Sequence, residues 1–84
     1  MGKAYDAGEA FEYLVHVKAS TASIASCISK GSRGLFDVYI LEPTRLRCIN
    51  AKLKGEMLPE EREKLRKFLL VKPPWVIAEL WWRP

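Results

Sequence analysis

The chain is poor in the residues that most often announce chemistry: one histidine, His16, and two cysteines, Cys27 and Cys48. Two cysteines are too few for a disulfide scaffold and lack the spacing of a metal knuckle, so both read as reduced thiols in apolar strands, and no structural zinc site is expected. His16 has no serine or cysteine spaced to form a nucleophilic triad with it, and it reads as a helix-surface residue. No apolar run approaches the ~18 residues of a membrane span. Asp6, Glu9 and Glu12 stand where a signal peptide would be apolar, so an intracellular, cytoplasmic protein with no membrane partner is expected. The 84 residues suit one domain, 1–84, with a thin core that self-association would help.

The charge is unevenly placed. Between residues 28 and 54 stand Lys30, Arg33, Arg45, Arg47, Lys52 and Lys54 against Asp37 and Glu42, whereas the rest of the chain balances. Two readings fit that window: a solvated charged hairpin, or a surface for a polyanion such as nucleic acid, bound through its phosphates.

The spacing of Ala7, Ala10, Phe11, Leu14 and Val17 predicts a helix over residues 6–19, opened by a capping-box-like Asp6 and Glu9. A short strand follows over 24–28, then a loop over 29–34 with two glycines, then a strand over 35–41. Pro43 occupies the favoured second position of a type I turn, so residues 35–52 should form a hairpin. With the turn centred between Pro43 and Thr44, Leu41 faces Leu46 and Asp37 faces Asn50, with Lys52 diagonal to Asp37 on the same sheet face. Pro59 opens a second amphipathic helix carrying Leu65, Phe68 and Leu69 to about Leu70, and residues 75–82 make a last strand. The order is α-β-β-β-α-β, an α/β fold.

An acid at a strand start, a polar side chain across from it and a lysine two residues further on suit metal-dependent phosphodiester chemistry, in which oxygen ligands hold Mg²⁺ and a cation meets developing charge. The plainer reading is a salt bridge between Asp37 and Lys52 across the hairpin, since an unpaired buried carboxylate is costly.

Four segments in order carry a resemblance: Phe11-Glu12-Tyr13; Ser32-Arg33-Gly34-Leu35-Phe36-Asp37-Val38; Ile49-Asn50-Ala51-Lys52; and Leu58-Pro59-Glu60-Glu61-Arg62. Together they resemble the archaeal Holliday-junction resolvase-like branch of the PD-(D/E)XK nucleases, over about residues 8–83. The resemblance implies a restriction-endonuclease-like core, a central mixed sheet flanked by helices, and Mg²⁺-dependent hydrolysis of DNA phosphodiesters, with Mn²⁺ as a substitute. It makes Glu12, Asp37, Asn50 and Lys52 the catalytic residues, and Glu12, Asp37, Asn50 and the Ala51 carbonyl the metal ligands. Asn50 stands where the family has Glu, Asp or sometimes Gln, and Ile28 where relatives often carry an arginine. Glu60 or Glu61 offers a displaced carboxylate for position 50.

Lys30, Ser32, Arg33, Arg45, Arg47 and Lys54 are then the expected DNA contacts. Trp75, Trp81 and Trp82 make a last strand too aromatic for so thin a core, and part of it is expected in a homodimer interface. Three functions follow as expectations: an endonuclease on branched DNA, placed with the nucleoid; a DNA-binding relative that has lost cleavage; or an interaction module built on the tryptophans.

Overall fold

The computed structural model describes residues 7–29, 35–52 and 57–82. Their elements are α1 (Ala7–Ala19), β1 (Ala25–Ile28), β2 (Val38–Glu42), β3 (Arg45–Lys52), α2 (Pro59–Val71) and β4 (Val76–Trp82). This is the expected order, and the strands form one sheet in the order β1-β2-β3-β4. The first three are antiparallel neighbours and β4 runs parallel to β3. A parallel neighbour needs a crossover connection, which α2 supplies. Among the described residues no helix is long and apolar enough to cross a membrane.

The two helices cover opposite faces of the sheet. Phe11, Val15 and Ala19 recur every four residues on α1 and bury against Val38, Ile40 and Ile49. On the other face Leu65 and Phe68 of α2 pack with Phe36, Cys48 and Val76, and the Phe68 ring meets Phe36 edge-on at 5.0 Å between centroids. No residue of α2 is fully buried, and Leu69, Leu70 and Val71 are exposed. Because apolar burial is what holds a short amphipathic helix in place, α2 is the more lightly held of the two layers.

The hairpin register follows the expected sum from Glu42↔Arg45 through Leu41↔Leu46 to Val38↔Ile49. It changes at Asp37. The Asp37 amide donates to the Ile49 carbonyl at 2.8 Å, so Asp37 and Val38 both address one residue of β3. The packing shows the same shift: Val38 and Ile40 bury on the α1 face, yet Phe36 joins Tyr39 in the α2-side cluster. Strict alternation would have placed Phe36 with Val38. The arrangement is that of a β-bulge with Asp37 as the extra residue, and it corrects two expectations. The second strand starts at Val38, and Asp37 does not stand directly across from Asn50.

Candidate functional site

The bulge turns the Asp37 side chain toward β3, where Oδ2 accepts the Ala51 N–H at 2.8 Å. Burial pushes its carboxyl above the usual carboxylate range; the Ala51 N–H and the Lys52 charge oppose this, and Glu61 adds to it. The ammonium of Lys52 lies on Glu61 of α2, at 2.7 and 2.9 Å from its two oxygens. Lys52 in turn holds the Glu61 carboxyl below its ordinary range. Glu61 also accepts the Leu58 N–H at 3.2 Å, so one side chain caps α2 and fixes Lys52. The cross-hairpin ion pair of Lys52 with Asp37 is therefore replaced by one between β3 and α2.

Asn50 does not join this group. It is only 3% exposed, on the face covered by α2, and its Nδ2 donates to the Leu35 carbonyl at 2.7 Å. Its Oδ1 is buried with no hydrogen-bond partner. Glu12 is half-buried on α1, the helix that covers the face opposite α2. The structure thus gathers Asp37, Ala51, Lys52 and Glu61 at one end of the hairpin, while the amide of Asn50 is tied to the Leu35 carbonyl. Among the described residues, no three Asp, Glu, His or Cys side chains gather to hold a metal ion by themselves.

The basic residues are also sorted. Arg47 has a side chain only 13% exposed and is spent inside the fold. Its guanidinium donates to both oxygens of Glu79 at 2.7 and 2.9 Å, to Glu42 at 3.0 Å, and to the Ala19 carbonyl at the end of α1 at 2.9 Å. Arginine suits this position because its rigid fork serves two acids and an otherwise unpaired helix-end carbonyl together. The bonds to Arg47 hold Glu79 below the usual range, and Arg45 first and Arg47 second do the same for Glu42. Arg45 is half-exposed and pairs with Glu42 at 2.6 Å. Arg47, expected on phosphate, is thus a structural cation; Arg45 remains at the surface. Lys30, Ser32, Arg33 and Lys54 lie outside the described residues, as does Asp6.

Of the three tryptophans, Trp75 and Trp82 are exposed, while Trp81 packs against the α1-side core and donates its indole N–H to Glu79 at 2.9 Å. Trp81 is therefore partly buried against the core of its own chain. His16 is half-buried, with Nε2 2.7 Å from the Ser26 hydroxyl and Nδ1 buried without a partner. Two acids carry more than their sequence positions announced. Glu61 lay in a run of exposed-looking helix charges, whereas Glu79, a lone acid in an apolar strand, was the clearer signal for a buried partner.

Comparison of the chain with protein-family models, with curated proteins and with solved structures finds no match.

Proposed function

We propose that the chain is a metal-dependent endonuclease that hydrolyses DNA phosphodiester bonds, preferring branched DNA such as four-way junctions, with Mg²⁺ as its cofactor and Mn²⁺ as a substitute. What carries this reading is the meeting of Asp37, Ala51, Lys52 and Glu61 at one end of the hairpin, where carboxylates stand beside an ammonium. The resemblance to junction resolvases and a restriction-endonuclease-like core supplies the substrate class. Mg²⁺ keeps several waters and takes one or two carboxylates plus phosphate oxygens, so three protein acids are not required. The donor set fits: Asp37 is a desolvated carboxylate whose charge a cation would relieve, and Glu61 is a second acid in the same field.

A bound Mg²⁺ would polarise the scissile phosphate and make a water acidic. Asp37 and the Ala51 carbonyl would hold it, with Glu61 as the second carboxylate in place of Asn50. Lys52, held by Glu61, presents the cation that meets charge on the phosphate. Lys30, Ser32, Arg33 and Lys54 flank this end in sequence and would supply phosphate contacts, together with Arg45. A nucleoid-associated, cytoplasmic protein follows from this reading. The edge strand β4, with exposed Trp75 before it and Trp82 at its end, would pair two copies and so present two sites to a branched substrate.

One observation favours a second reading, a nuclease-fold protein that binds DNA without cutting it: a neutral amide stands at position 50 and is tied to Leu35. Labelled four-way junction and matched duplex, incubated in Mg²⁺ and in Mn²⁺ with wild type, Asp37→Ala and Asn50→Glu, separate the two. Junction cleavage abolished in Asp37→Ala supports the endonuclease. Intact DNA in every wild-type reaction, with salt-dependent binding retained, supports the binding protein, and no affinity at low salt removes both.

A further inference from the structure

The C-terminal end of α2 is bare. Leu69, Leu70 and Val71 stand there in succession, all exposed, Leu70 by 73% and Val71 by 79%, and Pro73 and Pro74 follow just beyond the helix. Single exposed leucines are ordinary on a folded surface, but three large aliphatic side chains in a row call for something to cover them. The contacts of α2 with the sheet-side cluster are made by Leu65 and Phe68, so packing does not account for an apolar Leu70 or Val71.

The charges near this tip are sorted by sign. The acids of α2 are Glu60, Glu61 and Glu63. Glu63, the nearest, stands eight residues before Val71, about 12 Å along the helix axis and beyond a Debye length at physiological salt, and it is held by Arg66 at 2.6 Å. Exposed Lys67 lies only about 6 Å before Val71 on the same axis, and Lys72 follows Val71 directly. Neither lysine takes part in an ion pair among the described residues. The Leu46 N–H donates to the Trp75 carbonyl, which sets this end of α2 beside the hairpin turn. The acid of that turn, Glu42, is buried and bonded to Arg45 and Arg47, whereas Arg45 is half-exposed.

Three kinds of partner meet part of this description, and one meets all of it. Nucleic acid answers the cations but offers the aliphatic side chains no apolar layer. A second copy of this chain, paired tip to tip across a two-fold axis, covers the leucines but sets cation against cation. A bilayer with anionic headgroups takes the side chains into its acyl boundary and meets the cations at its surface. We propose that the C-terminal tip of α2 docks on an anionic lipid surface, with Leu69, Leu70 and Val71 entering the headgroup layer and Lys67 and Lys72 meeting the lipid charges. The lack of a spanning helix bears on crossing a membrane and not on docking, so the expectation of no membrane partner does not extend to this face. Asp37, Lys52 and Glu61 meet at the other end of the hairpin, and the proposal is independent of the endonuclease reading.

Sedimentation of the whole chain with sucrose-loaded vesicles tests this, using phosphatidylcholine alone and with about a third phosphatidylserine. Wild type is expected to sediment with the mixed vesicles, and more weakly as salt rises. Lys67→Gln with Lys72→Gln should bind them about thirtyfold more weakly, roughly fivefold for each cation. Leu70→Ser with Val71→Ser leaves Leu65 and Phe68 in place and should bind at least tenfold more weakly with its helix content kept. Wild type left in the supernatant at millimolar lipid and low salt would overturn the proposal without recourse to any variant. Full vesicle binding by folded Leu70→Ser with Val71→Ser would overturn the role of the tip. Loss of a wild-type dimer or of DNA binding in that double variant, with vesicle binding unchanged, would overturn it in favour of those partners.

Discussion

Glu61 grips Lys52 with both carboxylate oxygens, at 2.7 and 2.9 Å, and thereby ties the end of β3 to the first turn of α2. With no fully buried residue on α2, this ion pair and the Leu58 N–H contact carry an unusual share of what orients that helix. Both side chains are about a quarter exposed, so the pair is neither fully screened nor fully desolvated.

Glu61→Gln should therefore lower stability by about 1 kcal/mol at pH 7, read by urea denaturation. The pH dependence has a definite sign. Glu61's folded pKa is depressed, so its contribution is present above the unfolded value of about 4.3 and is lost as pH falls through the lower folded value. Wild type and Glu61→Gln should converge in acid; a gap that persists there would contradict the ion pair as its source.

Arg47 sits between Glu42 and Glu79 with little access to water. Arg47→Ala should destabilise the fold by about 3 kcal/mol, because it strips Glu79 of its countercharge and the Ala19 carbonyl of its donor, while Glu42 keeps Arg45. Arg47→Lys should lose part of that, since an ammonium cannot reproduce the two-pronged bond to Glu79. If Arg47 instead served phosphate, Arg47→Lys would keep full stability and change the salt slope of DNA binding.

Asp37 should show the opposite relation between stability and function. Its folded pKa lies above the unfolded one, so the native state favours the protonated form, and stability falls as pH rises from the unfolded through the folded value. Asp37→Asn mimics the neutral form and keeps an oxygen for the Ala51 N–H. Its melting temperature should exceed wild type's by a few degrees at pH 7, with the advantage vanishing below pH ~4, while cleavage is abolished. A variant less stable than wild type at pH 7 would show that the charge itself holds the hairpin end.

Trp75 and Trp82 bracket a sheet edge about seven residues long, unpaired among the described residues and roughly 23 Å at the usual rise per residue. Wild type should sediment as a dimer at micromolar concentration, and Trp75→Ser with Trp82→Ser as a monomer of unchanged fold. A monomeric wild type would remove the shared-edge arrangement.

Element order and most of the hairpin were legible because they rest on local rules, Pro43 for the turn and Pro59 for the start of α2; the apolar spacing foretold that α1 is a helix but not its buried face, since of its stripe Leu14 and Val17 are exposed and Phe11 is buried with Val15 and Ala19. The register followed from the turn and held as far as Val38↔Ile49. It could not show the bulge, because an extra residue leaves the apolar pattern of Leu35, Phe36 and Val38 unchanged and reveals itself only when Phe36 packs with Tyr39. The same blindness hid the partner of Lys52. A diagonal neighbour on one sheet face is a local inference, whereas Glu61 arrives from a helix whose placement depends on the whole β3-α2-β4 crossover. The setting of Arg47 is hidden for a related reason, since its exposure depends on where Glu79 lands in a parallel strand.

The claim that Asp37 anchors a catalytic metal is tested most directly by electron paramagnetic resonance of Mn²⁺ titrated into wild type, Asp37→Ala and Lys52→Ala, each with a non-hydrolysable four-way junction bound. Wild type and Lys52→Ala should take up the ion, and Asp37→Ala should bind it at least tenfold more weakly. Equal Mn²⁺ uptake by all three proteins, or none by wild type, would contradict the account.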